Sequence, residues 1–159
     1  MPVKPIPDGY HTATPYLIVK GAAAAIDFYQ KAFGAEEVMR CPMPDGRMGH
    51  AEIQIGNSRI MLADEFPEMN AKGPLALGGS PVGICLYVLD SDASFQRAIA
   101  AGGKVLRPIQ DQFYGDRSGT LTDPFGHQWT IATHREDVPL AEIERRMKEM
   151  ACGPEKKGG

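Results

Sequence analysis

The chain is short of almost everything that would place it quickly, and each shortage removes a class of protein. Cysteine is scarce: Cys41, Cys85 and Cys152 are the only three in 159 residues, they lie far apart, and no two form a CxxC pair. An odd, dispersed set argues against a disulfide framework and a zinc knuckle, and suits a reducing compartment. Basic excess is missing too: 17 Lys and Arg stand against 20 Asp and Glu, for a formal net charge of −3. With no long basic run, nucleic acid is not expected as a partner. No apolar stretch approaches the roughly 18 residues of a membrane span, and MPVKPIPDGYH at the N-terminus lacks a signal-peptide core. These absences predict a cytoplasmic protein that needs no membrane. What is present is ordinary, 43% hydrophobic and 23% charged. A chain of this length buries roughly 70% of its unfolded surface and can fold around one core without a staple.

Within that composition lies a repeat. TPYLIVKGAAAAIDFYQKAFGAEEV reads as a strand over 15–19, then a helix over 22–33 ended by Gly34. VGICLYVLDSDASFQRAIAAGGKVL reads the same way: a strand over 82–89, Asp90 or Ser91 as cap, and a helix to Ala101 before Gly102-Gly103. Setting Val19 against Val88 also sets Gly34 against Gly103, an offset of 69 without a gap. Three strand candidates follow each helix, at 36–41, 49–55 and 59–63, then at 104–109, 119–122 and 128–133. Turn signals such as Pro44-Asp45-Gly46, Gly56-Asn57 and Pro124-Phe125-Gly126 separate them.

The chain therefore reads as an α+β protein, β-α-β-β-β twice, by internal duplication. An N-terminal arm (1–9) precedes a first module (10–66), a linker (67–81) and a second module (82–134). An amphipathic helix over 135–150, with Leu140, Ile143 and Met147 on one face, precedes a disordered tail (151–159).

TDPFGHQWTIATH, residues 122–134, looks at first like a metal or catalytic motif. Its Asp-Pro-Phe-Gly has the chemistry of a hairpin turn, with Pro presetting φ and Gly accepting a positive one. Trp129 and Ile131 share a strand face by alternation and are expected in the core; His127 and His134 are expected in surface or structural roles. In GHAEIQIG, by contrast, His50, Glu52 and Gln54 alternate with Ala51, Ile53 and Ile55. Such a strand has one apolar face and one polar face, which either meets solvent or lines a site. Asp64 and Glu65 read as rim charges. Met39, Met43, Met48 and Met61 suit either an adaptable pocket or the core.

The paired modules, AIDFYQKAFGA in the first helix, MGHAEIQIGNSRIMLADE, and the ending DPFGHQWTIATHRED resemble the vicinal oxygen chelate superfamily. That group holds glyoxalase I, the bleomycin-resistance proteins and the extradiol dioxygenases, and the likeness is strongest to its small PhnB-like members. It covers residues 10 to about 150. It implies two half-barrel-like mixed sheets, a ligand cleft between modules, and a homodimer. It also implies that Thr14, Tyr16, His50, Glu52, Gln54, Cys85, Thr122, Gln128 and Thr130 face that cleft, with Tyr114 and Arg117 at its mouth. Arg117 would there clamp an anionic group.

Metal-using members carry four ligands, one from the first and one from the last strand of each module. Carried over, those positions are Thr14, Ile60 or Met61, Gly83 and Thr130. None offers an imidazole, carboxylate or thiolate. The resemblance thus implies a protein that sequesters a small molecule without the usual metal centre. The alternative is a lyase or isomerase using His50 and Glu52, with a divalent metal possible at a non-standard site.

Overall fold

The structure, a computed structural model, describes residues 2–153, so most of the expected tail lies outside it. Its elements are β1 (Tyr16–Val19), α1 (Ala22–Phe33), β2 (Glu36–Pro42), β3 (Met48–Ile55) and β4 (Ser58–Asp64). After a 3-10 turn (Pro67–Met69) and a one-turn helix α2 (Pro74–Leu77) come β5 (Gly83–Tyr87), α3 (Ser91–Ala101), β6 (Lys104–Asp111), β7 (Asp116–Thr122), β8 (Gln128–His134) and α4 (Leu140–Ala151). The strands form two four-stranded sheets, β1-β4-β3-β2 and β5-β8-β7-β6, not closed into a barrel. In each, the first strand runs parallel to the last and the remaining pairs are antiparallel. The linker is therefore structured, and β7 begins three residues before the expected Gly119.

Register makes the two modules superimposable on paper. Tyr16 pairs with Met61 as Cys85 pairs with Thr130, again an offset of 69. Helix ends slip by one: α1 is 12 residues and caps at Gly34, whereas α3 is 11 and caps at Gly102 rather than Gly103. The backbone N–H groups opening each helix are satisfied from the end of the module's own last strand. Gly21 has no side chain to cap with, so Asp64 Oδ1 accepts from Gly21 N at 3.0 Å and Ala22 N at 2.7 Å. Thr133 Oγ1 does the same for Ser91 N at 2.9 Å, and Asp90 accepts from Ala93 N. Asp64 also accepts from Met48 N. It is a helix cap, not a rim charge, because the parallel β1–β4 pairing brings the end of β4 beside the start of α1.

One core serves both modules. Ile53, Ile60 and Leu62 of the first sheet and Leu121, Trp129 and Ile131 of the second are buried with Ile26 and Tyr29 of α1 and Phe95 and Ala98 of α3. Trp129 lies 4.6 Å from Phe33 and 5.1 Å from Tyr29, ring centre to ring centre, so α1 packs on the second sheet as well as its own. At the centre is Asp123. Its buried carboxylate accepts from Tyr29 Oη at 2.6 Å and Trp129 Nε1 at 2.8 Å, and from the amides of Phe125 and His127. Burial, reinforced by this carboxylate, pushes the Tyr29 phenol well above its ordinary pKa. The Asp-Pro-Phe-Gly turn is thus the polar brace between modules.

Candidate functional site

Because the apolar faces of both sheets turn to the helices, their polar faces are left open. On the first, lateral pairing sets Tyr16, Met61, Glu52 and Met39 in one row. Met61, not Ile60, takes the polar face, and Ile60 is core. His50 stands one step along β3 from Glu52, and a hydrogen-bond chain runs through the pair. Tyr16 Oη meets His50 Nδ1 at 2.8 Å, His50 Nε2 meets Glu52 Oε1 at 2.9 Å, and Glu52 Oε2 accepts from Tyr10.

Tyr10 comes from the segment ahead of β1, which crosses this face; Arg59 stacks over its ring at 5.5 Å. Burial would lift the Glu52 pKa, but the hydrogen bonds from Tyr10 and His50, with the charges of His50 and Arg59, hold it below the usual carboxylate value. Glu52 in turn acts on the phenols. Burial and this carboxylate push Tyr10 up to about 12, and both raise Tyr16 as well. The arrangement keeps an ionised carboxylate behind a histidine, with a phenol in front, so it can hold or move a proton at Tyr16 Oη.

Tyr16 also borders a cleft of about 720 Å3, which runs between the edge strands β1 and β5 under the linker. Thr14, Tyr16 and Cys85 line it, together with Pro74, Leu77, Val82 and Ile84. His127 reaches in from the second module and bonds the Ile18 carbonyl at 3.0 Å; since a carbonyl only accepts, Nε2 carries the proton.

The other expected residues lie elsewhere. Gln54 is on the polar face but turned to the β3–β4 hairpin, donating to Gly56 O. Thr122, Gln128 and Thr130 share the second polar face, outside the cleft, and Thr130 bonds Thr120 at 2.9 Å. Arg117 requires a correction. Since β7 starts at Asp116, alternation sends Arg117 to the helix side, where it clamps Asp92 of α3 at 2.7 and 2.9 Å and reaches Asp111. Tyr114 packs edge-on against Phe113, is near enough to Tyr87 of β5 to act on its phenol, and does not line this cleft.

Glu65 fixes the linker through Gly73 N at 2.9 Å. Met48 is core, Met39 and Met43 are exposed, and Met61 is half-buried on the polar face. Asp116, between Tyr114 and Arg117 in the segment that the resemblance sets near the cleft mouth, is instead the first residue of β7. Buried on the second polar face, it accepts from Tyr87 Oη at 2.8 Å and pairs with His134 Nδ1 at 2.7 Å. His134 Nε2 meets Asp137 at 2.8 Å.

The positions that the resemblance assigns to the superfamily's four metal ligands hold Thr14, Met61, Gly83 and Thr130 here. This donor set does not fit a transition metal. Among the described residues no three His, Cys, Asp or Glu side chains converge on one point.

Comparison with known proteins agrees with this architecture. A family model described as Glyoxalase/Bleomycin resistance protein/Dioxygenase superfamily matches residues 10–131. The chain belongs to that superfamily. It is 45% identical over 143 residues to the uncharacterized protein Rv0887c of Mycobacterium tuberculosis, covering 88% of this chain and 84% of that one. Among solved structures, protein PA1353 of Pseudomonas aeruginosa is 27% identical with a TM-score of 0.62, over 79% of this chain and 99% of that one. A PhnB protein from Bacillus cereus shares the fold at 19% identity and a TM-score of 0.60, over 77% and 99%. No described helix is long and apolar enough to cross a membrane.

Proposed function

We propose that the protein binds a small organic molecule in the cleft between β1 and β5, without the four-ligand metal centre of the superfamily's enzymes. The observation that carries this reading is the junction at Tyr16. Its ring borders a 720 Å3 cleft walled largely by apolar groups, and its hydroxyl ends the His50–Glu52 chain. A cleft of that size with one convergent polar end suits a drug-sized ligand. Two further parts of the reading are that the modules arose by duplication and that the protein is a homodimer. Dimerisation would cover the open polar faces.

The continuous hydrogen bonding from Tyr16 to Glu52 also favours a second reading, a lyase or isomerase in which His50 relays a proton between Tyr16 and the ionised Glu52. A binding screen followed by thermal unfolding separates the two. A binder gains stability with a ligand in wild type, and Tyr16→Phe weakens that gain without any product forming. Turnover that vanishes in His50→Ala assigns the enzyme. A second measurement is metal content after exposure to Ni, Zn, Mn and Fe(II) in turn. Stoichiometric metal that is lost in His50→Ala overturns the metal-free reading.

A further inference from the structure

The charge lining the cleft is of one sign, against the acidic balance of the chain. Acidic residues outnumber basic ones, 20 to 17, yet no Asp or Glu lines this space. Its one permanently charged side chain is Lys72, on the linker that roofs it. Among the described residues Lys72 makes no ion pair within 4 Å. Other lysines, such as Lys20 and Lys31, also lack one, but Lys72 is the one that lines the cleft. The cleft's histidine is otherwise engaged, because His127 spends its Nε2 proton on Ile18 O.

The position of Lys72 is fixed on both sides: Ala71 before it exchanges two backbone hydrogen bonds with Phe66, and Gly73 and Pro74 hold it from behind. Gly73 donates to Glu65 Oε1 at 2.9 Å, and its backbone is so close to β1 that a Cβ there would meet Ile18 O at 2.8 Å. Pro74 next to it is buried. An ammonium on a pinned backbone at the edge of an apolar cleft is a partner for one anionic group, while the apolar walls take the body of the ligand.

We infer that the ligand of this cleft is an apolar, monoanionic organic acid whose carboxylate is received by Lys72. The inference rests on the cleft reading above and adds the class of ligand to it. The two ends of the cleft then have separate tasks. Lys72 selects the charge, and Tyr16, hydrogen-bonded to His50, meets a neutral polar group farther along.

The test uses three probes of one shape and different head groups: 4-phenylbutyrate, 4-phenylbutan-1-ol and 4-phenylbutylamine. Each is titrated calorimetrically, at millimolar concentration, into wild type, Lys72→Gln, Lys72→Arg and Gly83→Phe. The expected result is butyrate binding about tenfold tighter than the alcohol in wild type, with the amine weakest. Lys72→Gln should bring butyrate to the level of the alcohol, and Lys72→Arg should restore the preference. Added salt should weaken butyrate alone.

Gly83→Phe fills the cleft from β5, where a Cβ has room, its nearest neighbour being Gln128 O at 3.8 Å. It should abolish binding of every probe. Equal affinity for acid and alcohol in wild type, or an acid preference that survives Lys72→Gln, overturns the inference and leaves the cleft reading standing. Binding that is indifferent to Gly83→Phe, or absent with all three probes, overturns both.

Discussion

The two modules share a backbone plan and spend their polar faces differently. Register sets Glu52 of the first against Thr120 of the second, since each pairs with the matching residue of the last strand, Met61 or Thr130. The first face carries Tyr16, His50 and Glu52 in an open chain whose phenol stays 48% exposed beside the cleft. The second has a comparable trio in Tyr87, Asp116 and His134, but there the carboxylate rather than the histidine is the hub, and the histidine's far nitrogen is bound to Asp137. Its hydrogen bonds run to Asp137, and Gly115 O accepts from the amides of Arg135 and Glu136. They hold the segment leading to α4. Gly115, at φ +104°, is so close to that segment that a Cβ would meet Glu136 O at 2.1 Å. The same residue types thus make a chain that ends beside the cleft in one module and a structural clasp in the other. Which they become depends on which group sits at the hub and on where the ends of the chain lead, to a cleft at Tyr16 or to the segment before α4 at Asp137.

The largest way to break this comparison is through the brace that joins the modules. Asp123→Ala leaves two buried donors, Tyr29 Oη and Trp129 Nε1, unpaired. At about 2 kcal/mol for each, it should cost roughly 4 kcal/mol in urea denaturation. A loss below about 1 kcal/mol would show that the core alone joins the modules.

The helix caps come next, and they test the equivalence directly. Asp64→Ala frees three amides and should cost about 2 kcal/mol. Thr133→Val, its counterpart at the offset of 69, frees one helix amide and should cost about 1 kcal/mol. Equal losses would mean the carboxylate adds nothing beyond the hydroxyl.

A third pair addresses the polar faces. Tyr16→Phe should weaken binding of a cleft ligand about tenfold, while Tyr87→Phe should leave it unchanged. A matching loss in Tyr87→Phe would make both faces part of one site.

The smallest effect is on pH. Hydrogen bonds to Asp116 and then Asp137 raise the His134 pKa above its ordinary 6.5. A raised folded-state value stabilises the fold fully below about 6.5 and ceases to do so as pH rises through that value. Melting temperature should therefore fall slightly above pH 6.5 in wild type. It should follow a flatter course in His134→Gln, and an unchanged slope would remove His134 from the clasp.

Much of the fold was legible because it is local. Gly34 and Gly102-Gly103 end helices by backbone conformation, and GHAEIQIG announces its two faces by alternation alone. The site was legible only where it follows from one strand's parity. His50 and Glu52 were found that way; Tyr10, 42 residues from Glu52, and Tyr29, 94 residues from Asp123, were not, since only the folded chain brings them together. The superfamily resemblance puts Arg117 in a loop at the cleft mouth, and nothing local in residues 113–119 contradicts it. Once Asp116 pairs with His134, the strand's parity turns Arg117 toward α3. Asp64 and Asp116 taught a similar lesson. A carboxylate at a strand end cannot be classed until the amides and hydroxyls around it are known.

Tyr10 has a practical consequence. It sits eight residues after Pro2, yet its hydroxyl is on Glu52 and its ring lies under Arg59. An affinity tag or fusion partner attached at the N-terminus is therefore delivered onto the first module's polar face, beside the cleft. Binding and turnover are better measured on protein tagged after α4, or on material from which an N-terminal tag has been cut away.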